Sequence, residues 1–264
     1  MKTNKNTLRI TLLQTAPVWE NKEANYKLAA EWIAGEAEKG PLEIVLLPEL
    51  WATGFSMDTE KLGETIDGET VAWMRDTAKR HRCIVGGSVI IKEEEKYFNR
   101  FIWMQPNGEH HHYDKRHLFA FGEEDEHFSA GNRRVIVQVK GWKICLQVCY
   151  DLRFPVWSRN AGGEYDLLIY VASWPERRAI AWDTLLPARA IENQAYLVGL
   201  NRTGEDGHGV VHAGGSAVYD AEGKSVWRAG ELPRIHTVTL DKEVLLHTRE
   251  QYPFLSDADS FLLR

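Results

Sequence analysis

Two periodicities alternate along the chain. Residues 8–14 predict a first strand. Asn21 then caps a predicted helix to about Lys39, with Leu28, Ala29, Trp32, Ile33 and Ala37 as its apolar stripe and Gly40 ending it. Ile44, Val45, Leu46 and Leu47 are apolar without alternation, as in a strand buried on both faces, and the run stops at Pro48-Glu49. A second amphipathic helix is predicted over residues 69–80 through Val71, Ala72, Met74 and Ala78. A strand over 83–91 follows and contains Gly86-Gly87. Residues 97–104 and 110–113 predict a hairpin about Asn107-Gly108, and residues 135–139 and 142–148 predict another across Lys140-Gly141. Between these hairpins, over residues 114–131, the period fades. A loop that long in a compact protein is usually functional or disordered, and this one, with Lys115, Phe119, Phe121 and several acidic residues, reads as functional.

A short helix is predicted after Pro155, and a doubly buried strand over 167–171. Residues 178–194 keep a helical period, although Pro187 must kink the helix or break one hydrogen bond. Strands over 196–200, 216–219, 224–227 and 235–240 complete the set, and Asp241 is placed to cap a last helix. Residues 251–264 carry no pattern and read as a tail that packs on the core or on a partner. Strands alternating with helices, several of them apolar throughout, predict an α/β layered protein with sheet buried under helices. No polar linker or block of like charge interrupts residues 1–264, so one domain is expected.

Composition narrows the function classes. The 264 residues are 44% apolar and carry a net charge of −6, with Lys and Arg scattered rather than clustered. That argues against nucleic acid and anionic membranes as partners. No run approaches the roughly 18 apolar residues of a membrane span, and no secretory signal is apparent at the start of the chain. Three cysteines, Cys83, Cys145 and Cys149, fit neither a disulfide framework nor a structural zinc site, so a reducing cytoplasm is the expected home. Neither GxGxxG nor GxxxxGK[ST] occurs, so nucleotide binding has no support.

Three stretches share one grammar, an apolar strand with a reactive side chain at or just past its end. They are Leu46-Leu47-Pro48-Glu49, Tyr113-Asp114-Lys115 and Val148-Cys149-Tyr150-Asp151. Ligands of open α/β sheets bind beyond the carboxyl ends of strands. If these ends meet, a carboxylate, an ammonium and a thiol share one pocket. Those groups suit amide hydrolysis through a thioester, needing no metal or organic cofactor. Taken singly, Cys149 reads as a small core residue, and Glu49 and Lys115 as solvated charges. The joint pattern favours chemistry.

The whole chain resembles the nitrilase superfamily of carbon–nitrogen hydrolases, whose Glu–Lys–Cys triad falls on Glu49, Lys115 and Cys149. The segments 113–119, 149–155, 188–194 and 254–259 most resemble its omega-amidase branch, which removes ammonia from the terminal amide of 2-oxo acids such as 2-oxoglutaramate. The resemblance implies a four-layer α-β-β-α sandwich, a small-molecule substrate and a homodimer formed through helices. It also implies a second glutamate that orients the lysine, Glu123 or Glu124, with Glu126 in the same loop. The backbone N–H of Tyr150 joins Lys115 as an expected oxyanion donor.

Other readings remain at this level. Phe55, Phe119, Phe121 and Trp174 could wall the pocket or belong to the core. Arg153 could hold a substrate carboxylate, or brace the site by pairing with Asp151 or Glu192. The superfamily also holds nitrilases, carbamoylases and other amidases. His110 and His112, sharing a strand face near Asp114, admit a metal-dependent hydrolase, and a catalytically dead scaffold is the third reading.

Overall fold

The structure, a computed structural model, describes residues 6–259. Its first half runs β1 (Thr7–Gln14), α1 (Lys22–Lys39), β2 (Ile44–Leu46), α2 (Thr59–Leu62), α3 (Glu69–His81), β3 (Ile84–Glu93), β4 (Lys96–Met104), β5 (His110–Asp114) and α4 (Glu124–His127). The second half runs β6 (Val135–Val139), β7 (Trp142–Val148), α5 (Pro155–Ser158), β8 (Leu167–Ala172), α6 (Ala179–Asn193), β9 (Tyr196–Asn201), β10 (Thr203–Glu205), β11 (Val211–Ala213), β12 (Ala217–Tyr219), β13 (Ser225–Arg228), β14 (Arg234–Asp241) and α7 (Lys242–Gln251).

The long strands form two six-stranded sheets, ordered β14-β1-β2-β3-β4-β5 and β13-β12-β9-β8-β7-β6. Each has a parallel centre, β1-β2-β3 in one and β7-β8-β9 in the other. Antiparallel strands flank both centres. One apolar core joins Ile10, Leu12, Phe101 and Trp103 of the first sheet to Leu146, Val148 and Ile169 of the second. A second core packs Val45, Val85 and Ile102 against Ala29 and Ile33 of α1 and Val71, Met74 and Ala78 of α3. Trp182, Leu186 and Ala190 of α6 cover the second sheet. Burying each such aliphatic side chain contributes about 1.5–3 kcal/mol. Gly199 lets α6 come this close, because a Cβ there would lie 2.7 Å from the Leu186 methyls. The layers are therefore helix, sheet, sheet, helix, the expected four-layer α-β-β-α sandwich.

The expected elements differ in detail. The stripe that α1 buries is Asn25, Ala29, Ile33 and Glu36. Leu28, Trp32 and Ala37 stay half-buried. The polar members have partners that periodicity cannot foresee. Asn25 donates to Val18 O and Ala52 O at 2.8 Å each, and Glu36 accepts from Thr237 Oγ1 at 2.7 Å. Pro187 lies inside α6, and a 3-10 turn spans Phe254–Asp257 in the patternless tail. Gln194, just past α6, ties that tail down by donating to Tyr252 O at 2.7 Å. Residues 260–264 of the tail lie outside the described residues. The β10-β11 hairpin was not foreseen. Among the described residues, no helix is long and apolar enough to cross a membrane.

Candidate active site

Glu49, Lys115 and Cys149 meet where strands of both sheets end. Glu49 lies three residues past β2 and is fully buried. The next residue, Leu50, is left-handed (φ 46°), and its N–H is held by Ser88 Oγ at 2.9 Å. Lys115, also fully buried, directly follows β5. Its N–H donates to Asn99 O at 3.0 Å, and its carbonyl accepts the Gly131 N–H at 2.9 Å. Residue 131 must be glycine, since a Cβ there would lie 2.1 Å from the Asp114 carbonyl oxygen.

Cys149 directly follows β7 with φ 43°, a left-handed conformation that costs energy for a residue with a side chain. Asp151 holds this turn. It accepts the Val148 N–H at 3.0 Å, the Tyr113 O–H at 2.8 Å and the His117 N–H at 3.0 Å. Tyr113 and His117 flank Lys115, so one carboxylate fixes the thiol turn of the second sheet to the lysine loop of the first.

The polar contacts leave few free positions. Lys115 Nζ donates to Glu49 Oε1 at 2.7 Å and to both Glu124 oxygens at 2.9 and 2.8 Å. The oxygens of one carboxylate lie too close together to take two tetrahedrally disposed ammonium hydrogens. One N–H therefore bifurcates onto Glu124, and the third stays uncommitted. Glu49 Oε1 also accepts from Asn99 Nδ2 at 2.8 Å, which fills it. Glu49 Oε2 accepts the Ser173 N–H at 2.8 Å and keeps one acceptor position.

Of the three loop glutamates, Glu124 reaches Lys115. Phe119 N–H donates to it at 2.7 Å and Asn99 Nδ2 at 3.0 Å. Glu123 is left-handed (φ 59°) and stands at the rim of the cleft, and Glu126 is exposed. Asn99 escaped the sequence reading although a signal was there. It sits in phase with Phe101 and Trp103 on β4, a polar residue in an inward register.

Burial sets the charges. It works against the Lys115 ammonium, but Glu124 and Glu49 outweigh it and hold the lysine above its ordinary range. Burial and then the Glu49 charge push the Cys149 thiol well above the usual thiol range, against the smaller pull of Lys115. Burial also raises Glu124, with Lys115 opposing. Cys83 and Cys145 are raised by burial to about 12 and about 11 and lie in apolar cores away from the cleft. The Cys149 thiol should thus hold its proton at neutral pH. Alkylation by iodoacetamide is expected to keep accelerating from about pH 7 to about pH 10, past the range of an ordinary thiol. In Glu49→Gln the rise should move to lower pH, since one cause of the upward shift is gone. A rate flat across that window in the unsubstituted protein would mean a preformed thiolate.

The cleft over Cys149 has a volume of about 330 Å³, at the small end for ligand pockets. Phe55, Phe119, Tyr150 and Trp174 wall it. Asn201 clamps Trp174, accepting its N–H at 2.7 Å and donating to its carbonyl at 3.0 Å. The β10-β11 hairpin adds Val210 and His212 to the wall. Three guanidinium groups face the cleft on aromatic rings, Arg153 over Trp174 (4.9 Å), Arg178 over Phe119 (4.7 Å) and Arg177 over Phe121 (5.8 Å).

The bracing role of Arg153 does not hold. Asp151 is committed to Tyr113, His117 and Val148, and Glu192 pairs with Arg189 at 3.1 Å. Among the described residues, no carboxylate lies within ion-pair distance of Arg153, Arg177 or Arg178.

The metal reading loses its site. Asp114, expected to join His110 and His112, takes Arg100 Nε at 2.6 Å. Among the described residues, no group of three His, Cys, Asp or Glu side chains could hold a metal ion.

Known proteins match along nearly the whole chain. The omega-amidase YafV of Escherichia coli (strain K12) is 42% identical over 258 residues, 97% of this chain and 98% of that protein. The 2-oxoglutaramate amidase of Bacillus subtilis (strain 168) is 31% identical over 252 residues, 94% of this chain and 96% of that protein. The crystal structure of a CN-hydrolase superfamily protein from Xanthomonas campestris, with an arsenic adduct in its active site, superposes with a TM-score of 0.95 at 40% identity, covering 98% of this chain and 99% of that one. The profile of the carbon-nitrogen hydrolase family matches residues 9–250, and the chain belongs to that family.

Proposed function

We propose that the protein is an omega-amidase that hydrolyses the terminal amide of short 2-oxo dicarboxylic acid monoamides, through a thioester on Cys149. One observation carries this reading. A buried Glu49–Lys115 pair beside Cys149 opens onto a small cleft whose three arginines have no carboxylate within ion-pair distance among the described residues. The Escherichia coli and Bacillus subtilis relatives support the same substrate class.

The thiol gives its proton to Glu49 Oε2 as sulfur attacks the amide carbon. The free N–H of Lys115, with the backbone N–H of Tyr150, stabilises the oxyanion. One such donor is worth about 2.7–4 kcal/mol. Glu49 then protonates the departing nitrogen, and ammonia leaves. A water gives its proton to Glu49 and attacks the thioester, releasing the acid and the thiol. Glu124 keeps Lys115 charged and fixed, and Asn99 spaces the two glutamates.

Arg153 and Arg178 hold the carboxylate at the far end of the substrate. A charge-assisted pair of this kind is worth about 1.5–3 kcal/mol, so Arg178→Met should raise KM about ten- to hundredfold while leaving kcat nearly unchanged. The reading is tested by ammonia release from 2-oxoglutaramate, 2-oxosuccinamate, glutamine, a nitrile and an N-carbamoyl amino acid. Preference for either of the last two would assign the cleft to another branch of the family. Exposed Ile180 and Ile191 on α6, with Val244 and Leu246 on α7, support the expected homodimer through helices.

A further inference from the structure

We propose that the side-chain hydroxyl of Ser173 holds the leaving nitrogen of the amide substrate. The inference rests on the amidase reading and goes beyond it, to how the nitrogen is presented to its acid.

Ser173 directly follows β8, and its N–H binds Glu49 Oε2. Its Oγ is buried and has no hydrogen-bond partner. Several buried polar atoms share that condition, but among the described residues only the Ser173 Oγ belongs to a residue lining the cleft. A buried hydroxyl without a partner is costly, and one carried by a residue that lines a ligand space gains a partner when the ligand arrives and the side chain turns toward it.

The disposition of Glu49 says which part of the ligand that is. Lys115 and Asn99 fill Oε1. The proton taken from the thiol must therefore sit on Oε2, and the nitrogen must come to Oε2 to collect it. Ser173, bound by its backbone to that oxygen, stands beside the approach. In the tetrahedral intermediate one N–H donates to Ser173 Oγ, which turns the nitrogen lone pair toward the Oε2 proton. The C–N bond then breaks, its electron pair stays with nitrogen, and the Oε2 proton makes the third N–H of ammonia. Ser173 neither gains nor loses a proton. The oxyanion lies across the carbon, on the Lys115 side.

The test compares Ser173→Ala with the unsubstituted enzyme on an amide and on the methyl ester of the same acid, whose leaving oxygen carries no N–H. The ratio kcat/KM reports events up to thioester formation. Losing one neutral hydrogen bond should lower it about tenfold for the amide and leave the ester within roughly twofold. Ser173→Thr, which keeps the hydroxyl, should retain most of the amide rate. Unchanged iodoacetamide alkylation of Cys149 in Ser173→Ala would show the thiol turn intact. Equal losses on amide and ester, or no loss on the amide, would overturn the role of Ser173 and leave the amidase reading standing. An unsubstituted enzyme that released no ammonia from any amide would instead overturn the reading, and this inference with it.

Discussion

In Cys149→Ala, ammonia release is expected to fall to background, a loss of more than about 10⁵-fold on the scale known for removing a catalytic nucleophile. The protein should stay folded. Cys149 is one small side chain on a turn whose shape is set by Asp151, and Asp151 keeps its bonds to Val148, Tyr113 and His117 whatever residue 149 carries. Alanine also removes the group that burial and Glu49 make costly to ionise. Cys83→Ala and Cys145→Ala delete similar atoms from apolar cores. They should cost about 1 kcal/mol of stability each and leave turnover in place. Ammonia release and thermal melting of the three variants decide the matter, and full activity in Cys149→Ala would end the thioester mechanism.

Lys115→Met is expected to damage stability as well as activity. The ammonium is the only cation within ion-pair distance of Glu49 and Glu124 among the described residues, and all three groups are buried. Removing one partner of a buried ion pair costs about 3–5 kcal/mol. The pH dependence has a definite sign. Burial and the neighbouring Glu49 already raise Glu124, and loss of the opposing Lys115 charge raises it further. The folded variant then binds a proton that the unfolded chain has released, so its stability increases as pH falls through that window. Urea melts should show the deficit largest near about pH 8 and smaller near about pH 5.5. Adding Glu124→Gln removes one of the two like charges. It should restore much of the stability and none of the turnover. Stability equal to the unsubstituted protein at the higher pH would mean that Lys115 does not neutralise this cluster.

The meeting of Glu49, Lys115 and Cys149 was legible because Glu49 and Cys149 follow strands whose apolar runs are visible in the sequence, and Lys115 follows the second strand of a hairpin marked by Asn107-Gly108. The choice between Glu123 and Glu124 was not. Their loop has no period, and the outcome turns on the left-handed backbone at Glu123 and on the Phe119 N–H that receives Glu124. Arg153 was ambiguous because its role depended on where Asp151 and Glu192 pointed; Asp151 finds partners 34 residues or more away, and Glu192 turns to Arg189 on its own helix. Ser173 acts on Glu49 through its backbone N–H, which no side-chain pattern reveals. The strands β10 and β11 are three residues each, too short for alternation to register.

The site is divided between the two sheets. Glu49, Asn99 and Lys115 hang from one, and Cys149, Ser173 and Trp174 from the other. The apolar layer between them therefore acts as a spacer that sets the reach from sulfur to carboxylate. Interiors packed like crystals deform little, and a misplacement of about 1 Å between reacting groups can cost a hundredfold in rate. Side chains such as Trp103 and Val148, which touch no substrate, thus carry a catalytic tolerance in their volumes. Variation there is limited by the length of a reacting contact before it is limited by the stability of the fold.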